Sequence, residues 1–326
     1  MIYTVDEIKH LHLELSSRCN AACPLCPRNF YGYPHNSGYT EHDMSLREVQ
    51  HIFPKSFVQQ LDYILLNGNL GDALMNADTV PIVEYFRSTN PNVNIMMSTN
   101  GGARDSIFWT RLAELDVQIF FCLDGLADTH SLYRQNTLFS TVIRNAQTVI
   151  NAGGRAVWKM IVFDHNRHQI NQARAMSQEL GFDFFYIENK RAQQNAPVFD
   201  SKGQLTHTIG QPTTTNFDRL YRNKLQLPLV TGTLKEPISC QVKQSRSIFV
   251  SSVGDVYPCC HIGFSPKTFI SSANIQLKEL VTKNNALKYD LHTCIEWFNQ
   301  VEESWKQPTF AQGRLKVCND ACGLDT

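Results

Sequence analysis

Six apolar runs separated by helical patterns set the limits on how this chain folds. They lie at 11–15, 63–66, 93–97, 117–123, 156–162 and 182–187, with helical spacing at 45–61, 79–88, 106–115, 139–152 and 169–180. Pro54 marks a kink in the first helix. Continuous apolar strands alternating with amphipathic helices predict a parallel sheet covered by helices, as an open sheet or a barrel. Periodicity alone leaves both open.

The turn after the first run holds Cys19, Cys23 and Cys26, a C-x3-C-x2-C spacing that lets three thiolates converge from one loop. Pro24 and Pro27 resist helix formation there. Structural zinc and purely electron-carrying iron-sulfur clusters take four protein ligands, so a three-thiolate loop leaves one coordination position open. A second group holds Cys240, Cys259, Cys260, Cys318 and Cys322, while Cys122 and Cys294 stand alone. Segments 247–252 and 255–257, joined through Val253-Gly254, read as a hairpin that brings Cys240 towards Cys259 and Cys260.

Among 326 residues, 30 basic side chains balance 30 acidic ones, which argues against nucleic acid or an anionic membrane as the main partner. No run approaches the ~18 apolar residues of a membrane span, and the first residues lack a signal-peptide core. A cytoplasmic protein is expected, with its ten cysteines reduced or bound to metal.

The triad Cys19, Cys23, Cys26 after the first strand resembles the signature of the radical S-adenosylmethionine (radical SAM) superfamily, whose three cysteines hold a four-iron, four-sulfur cluster with one iron left for SAM. The resemblance implies a six-stranded partial (β/α)6 TIM-like barrel over 1–190 and a small cluster-binding module of hairpin and helix over 237–326; the polar, broken stretch 191–236 between them, with one short helical piece near 216–225, reads as a bridging segment that also covers the barrel mouth. Further matches fall on the loops after the strands. Residues 65–74, with Gly71-Asp72 and Ala73 where proline is usual, resemble the Gly-Gly-Glu-Pro segment that contacts the methionine amino group. Ser98-Thr99-Asn100-Gly101 resembles the Thr-Asn-Gly segment near the ribose and methionine. Cys122-Leu123-Asp124-Gly125, with His130 and Arg134, resembles the Ser-Leu-Asp-Gly...His...Arg pattern of the SPASM and twitch branches, with a thiol in place of the hydroxyl at 122. Asn166 reads as a helix cap, and His165 and His168 as exposed.

In the second group, Cys240, Cys259, Cys318 and Cys322 fit one auxiliary four-iron cluster of the twitch type, ahead of structural zinc. Cys260 occupies the place of an acid-base aspartate in the related sulfatase-maturating enzymes and is expected to face the substrate. The implied activity is reductive cleavage of SAM and hydrogen abstraction from a small molecule or peptide, with net oxidation through the auxiliary cluster and an external flavodoxin- or ferredoxin-type reductant. A peptide maturase is the alternative within the enzyme class. The alternative from another class is a non-catalytic iron-sulfur electron carrier or redox sensor.

Overall fold

The structure, a computed structural model, describes residues 3–34, 39–188, 196–210, 233–263, 276–278 and 280–324. Strand β1 (His10–Leu13) runs into the cysteine loop, and an antiparallel pair, β2 (Asn29–Phe30) and β3 (Tyr33–Pro34), follows it. Helix α1 (Leu46–Ile52) opens at Ser45 with a capping box: Glu48 N–H donates to Ser45 Oγ, and the Glu48 carboxylate accepts from Ser45 N–H. The expected kink at Pro54 is a break, because proline has no N–H to continue the ladder. The chain restarts as α2 (Lys55–Gln59).

Strands and helices then alternate as the apolar runs predict: β4 (Tyr63–Leu66), α3 (Thr79–Thr89), β5 (Asn94–Thr99), α4 (Ser106–Glu114), β6 (Val117–Cys122), α5 (His130–Tyr133), α6 (Phe139–Asn151), β7 (Arg155–Ile161), α7 (Ile170–Glu179) and β8 (Phe184–Glu188). In the segment read as a bridge, β9 (Ala196–Phe199) and β10 (Leu205–Ile209) form an antiparallel pair. The helical piece expected near 216–225 lies outside the described residues. The C-terminal part holds α8 (Gln241–Ser245), β11 (Ser247–Val250), β12 (Val256–Tyr257), α9 (Leu291–Ile295), α10 (Phe298–Ser304) and α11 (Lys316–Cys322).

Strands β1, β4, β5, β6, β7 and β8 pair in that order, all parallel. The C-terminal hairpin does not stand apart from them. β11 pairs parallel with β1, His10 opposite Ser247 and Leu13 opposite Val250, so the sheet has eight strands in the order β12-β11-β1-β4-β5-β6-β7-β8. The result is a mixed α/β fold built on a long, mainly parallel sheet.

Side chains alternate across a strand, so one face of the sheet is apolar. Leu11, Ile64, Ile95 and Val117 form a row across four neighbouring strands, each fully buried. Burial of this kind contributes about 1.5–3 kcal/mol per large aliphatic side chain. Two expectations at the end of β7 are corrected. Asn166 makes no capping bond; its Oδ1 accepts from Phe163 N–H at 2.8 Å and its Nδ2 donates to Ile161 O at 3.0 Å, which turns the chain off the strand. His165 stacks on Phe163 at 5.3 Å with both ring nitrogens shielded, and only His168 is exposed.

Candidate active site

Two tight turns shape the cysteine loop: Cys26 N–H donates to Cys23 O and Asn29 N–H to Cys26 O, both at 3.0 Å. They bring Cys19, Cys23 and Cys26 to the wall of one cavity of about 590 Å³. Each of the six parallel strands from β1 to β8 contributes to that cavity from its C-terminal end, where open α/β sheets present their binding crevices. Gly71, Asp72, Ser98, Asn100, Arg134 and Cys260 line the same cavity, so residues far apart in sequence meet there.

Asp124 does not reach the wall. It is fully buried beneath Arg134, its Oδ2 accepting from Arg134 Nε and its Oδ1 from Ile161 N–H, both at 2.5 Å. Its influence passes through Arg134, whose Nη1 lies 3.6 Å from Cys23 Sγ. Asp72, which does line the wall, is tied inward through its carboxylate. Its carboxylate accepts from Thr99 Oγ1 at 2.8 Å, Asn100 N–H at 2.7 Å and Asn100 Nδ2 at 2.9 Å, which locks the loop after β4 to the loop after β5. Asn100 Nδ2 also lies 3.5 Å from Cys19 Sγ. A Cβ on Gly71 would meet Ser16 O at 1.9 Å, so the loop can pass this point only as glycine.

At 122 the thiol Sγ lies 3.7 Å from Ser98 Oγ, which places a hydroxyl beside the position where the resemblance expects one. Burial raises the Cys19 and Cys23 thiols, Cys23 to about 11 despite the Arg134 guanidinium. Metal binding to such thiols releases protons. None of the ten cysteines is joined in a disulfide.

The second thiol group surrounds a cavity of about 220 Å³ lined by Cys240, Cys259, Cys318, Cys322 and also Cys260. Backbone N–H groups of Val242 and Lys243 face Cys240, and that of Ile262 faces Cys259. Burial pushes the Cys318 thiol up to about 12. Cys260, His261 and Val317 line both cavities, so Cys260 stands between the two sulfur groups. Among the described residues, no three His, Cys, Asp or Glu side chains close on a single metal ion. No helix among them is long and apolar enough to cross a membrane.

The pair β9 and β10, in the segment read as covering the mouth, roofs the cysteine loop: Ala196, Val198 and Ile209 pack with Ala21, Cys23, Tyr133, Ile161 and Phe163 in an apolar cluster of its own. Two features escaped the sequence. Lys159 and Glu188 line the main cavity as an ion pair, Nζ to Oε2 at 2.9 Å. Lys159 sits in register beside Cys122, and a lone cation inside the apolar run 156–162 was the available signal. Glu14, at the end of β1, is buried at 2% exposure.

No family model matches the chain. It is 21% identical over 340 residues to the tungsten-containing aldehyde ferredoxin oxidoreductase cofactor-modifying protein of Pyrococcus furiosus, covering 97% of this chain and 89% of that one. Among solved structures it resembles SuiB of Streptococcus suis bound to S-adenosylmethionine, at a TM-score of 0.56, 13% identity, and 94% and 68% of the two chains. It also resembles anSMEcpe with bound AdoMet, at a TM-score of 0.57, 16% identity, and 98% and 89% coverage. Both neighbours are known with peptides, SuiB with precursor peptide SuiA and anSMEcpe with Cp18Cys peptide. At these identities the likeness is one of fold: the chain shares the fold of these two proteins, each seen with S-adenosylmethionine bound.

Proposed function

We propose that this chain is a radical SAM enzyme of the twitch type, its six parallel strands forming a partial barrel, and that it acts on a peptide. The observation that carries the reading is the meeting of three thiols from one loop with the glycine loop, Ser98, Asn100 and Arg134 around one cavity. Cys19, Cys23 and Cys26 would hold a four-iron cluster, and Asn100 and Arg134 direct N–H groups at two of their sulfurs. With SAM bound and an external one-electron reductant supplying the electron, such a centre would supply reductive cleavage of the sulfonium and hydrogen-atom abstraction from substrate.

The chain's own residues orient and shield. Arg134, fixed by Asp124, presents a guanidinium suited to the SAM carboxylate. The apolar roof of Val198 and Ile209 keeps water from the loop. Cys240, Cys259, Cys318 and Cys322 would hold an auxiliary cluster, which would supply a one-electron acceptor for net oxidation of the substrate. A single zinc, with Zn–S of about 2.3 Å, draws four sulfurs close together, whereas a four-iron cube takes one sulfur per corner and leaves them further apart. These four thiols line the second cavity, one for each corner of such a cube. The peptide-bound neighbours support a peptide substrate. The name of the Pyrococcus relative, a cofactor-modifying protein, supports a second reading, an enzyme cofactor as substrate.

The test is anaerobic loading with iron and sulfide, followed by SAM and a strong reductant. Slow release of 5'-deoxyadenosine is expected, with roughly eight iron atoms per chain for two four-iron clusters. Iron binding with no 5'-deoxyadenosine identifies an electron carrier instead and overturns the proposal.

A further inference from the structure

We propose that Glu14 is a positioning residue that ties the shape of the glycine loop 67–72 to the docking of the C-terminal thiol module. The inference rests on the radical SAM reading and concerns how that site is built. The Glu14 carboxylate accepts from the N–H of Leu70 at 2.7 Å and of Gly71 at 3.2 Å, and the N–H groups of Asn69 and Ser252 face it. Successive amides of one loop thus wrap a buried carboxylic side chain, the geometry that loops elsewhere use for bound anions. Glycine is required for that approach: a Cβ on Gly68 would lie 2.7 Å from Glu14 Oε1.

The fourth amide comes from outside the loop. Ser252 lies between β11 and β12, so the C-terminal hairpin shares the carboxylate with the glycine loop. Two more ties run the same way. Glu14 N–H donates to Val250 O at 2.9 Å, extending the pairing of β1 with β11, and Asn69 Nδ2 donates to Cys260 O at 2.9 Å. Asn69 therefore turns its backbone amide toward Glu14 and gives its side-chain amide to the segment that lines both cavities. If the hairpin shifts, Glu14 loses the amide of Ser252 and Asn69 its carbonyl partner, and a buried carboxylic side chain keeps its place only while its donors stay. The glycine loop then loses the side chain it is folded around, and with it the wall it gives the main cavity. SAM would bind well only when the C-terminal module is seated.

The test uses the iron-loaded full chain, with SAM itself as the probe. Equilibrium dialysis gives the SAM dissociation constant, and hydrogen exchange follows the Leu70 and Gly71 amides. Glu14→Gln, holding wild-type iron, is expected to bind SAM at least tenfold more weakly with faster exchange at both amides. Asn69→Ala should weaken SAM several-fold, and the double variant should lose less than the product of the two. A merely structural residue would lower melting temperature and iron content together without singling out those amides. Should Glu14→Gln fail to fold, Asn69→Ala still decides: unchanged SAM affinity and unchanged Leu70 and Gly71 exchange overturn the inference. Wild-type affinity in a folded Glu14→Gln overturns it as well and leaves the radical SAM reading standing. Absence of SAM binding in the wild type brings down that reading first.

Discussion

Arg134 Nε and Asp124 Oδ2 lie 2.5 Å apart directly behind the cavity wall, with the arginine side chain 12% exposed and the aspartate not at all. The guanidinium serves two ends, the buried carboxylate and Cys23. Removing it by Arg134→Ala strands a buried charge, which costs about 3–5 kcal/mol. A denaturant midpoint unchanged from wild type would contradict the pairing.

Alanine at Cys19, Cys23 and Cys26 together should reduce bound iron from roughly eight to four atoms per chain and bring 5'-deoxyadenosine down to background. Alanine at Cys240, Cys259, Cys318 and Cys322 should also halve the iron but leave uncoupled cleavage detectable. Iron analysis and product chromatography on the two variants separate the two roles.

Lys159 and Glu188 pair across β7 and β8 with side chains 24% and 22% exposed, facing the cavity. A pair that only staples strands is restored by exchanging its members. The swap Lys159→Glu with Glu188→Lys should therefore recover stability to within about 1 kcal/mol of wild type. Substrate turnover should stay at least tenfold down, because the charges presented to the cavity are reversed. Full recovery of turnover would reduce the pair to a staple.

Burial lowers His130 to about 4, and its Nε2 lies 3.0 Å from Thr137 Oγ1. A histidine whose folded value is depressed supports stability above its unfolded value near 6.5 and loses that support as pH falls towards 4. By pH 5 the loss from His130 is about 2 kcal/mol. His12, also lowered to about 4 by burial, adds to the same fall. Denaturant titrations should fall in stability from pH 6.5 to 5, and His130→Gln should flatten that fall.

Val198 is fully buried against the loop that carries Cys23. Val198→Ser opens the apolar roof and should speed loss of the visible iron-sulfur absorbance in air several-fold. A bleaching rate equal to wild type would mean that the roof does not shield the loop.

The sequence carried the strand and helix order because periodicity is local. An apolar run such as 117–123 becomes β6 through its own residues, and the break at Pro54 follows from a missing N–H. The cysteine spacing was equally local, since one loop holds all three thiols.

Three things were decided by packing between distant segments. β11 joins β1 although more than 230 residues separate them in sequence, because both present matching edges and an apolar face, and no local pattern records which edges meet. Cys260 lies between the two sulfur groups only because that pairing carries the hairpin to the mouth of the sheet. Glu14 read as one charged residue in an apolar strand; that it anchors a glycine loop depended on amides arriving from residues 69–71 and 252. The chain alone determined which chemistry is possible through its thiols and strands. Tertiary structure decided which groups share a cavity, because convergence is a property of long-range register and not of neighbouring residues.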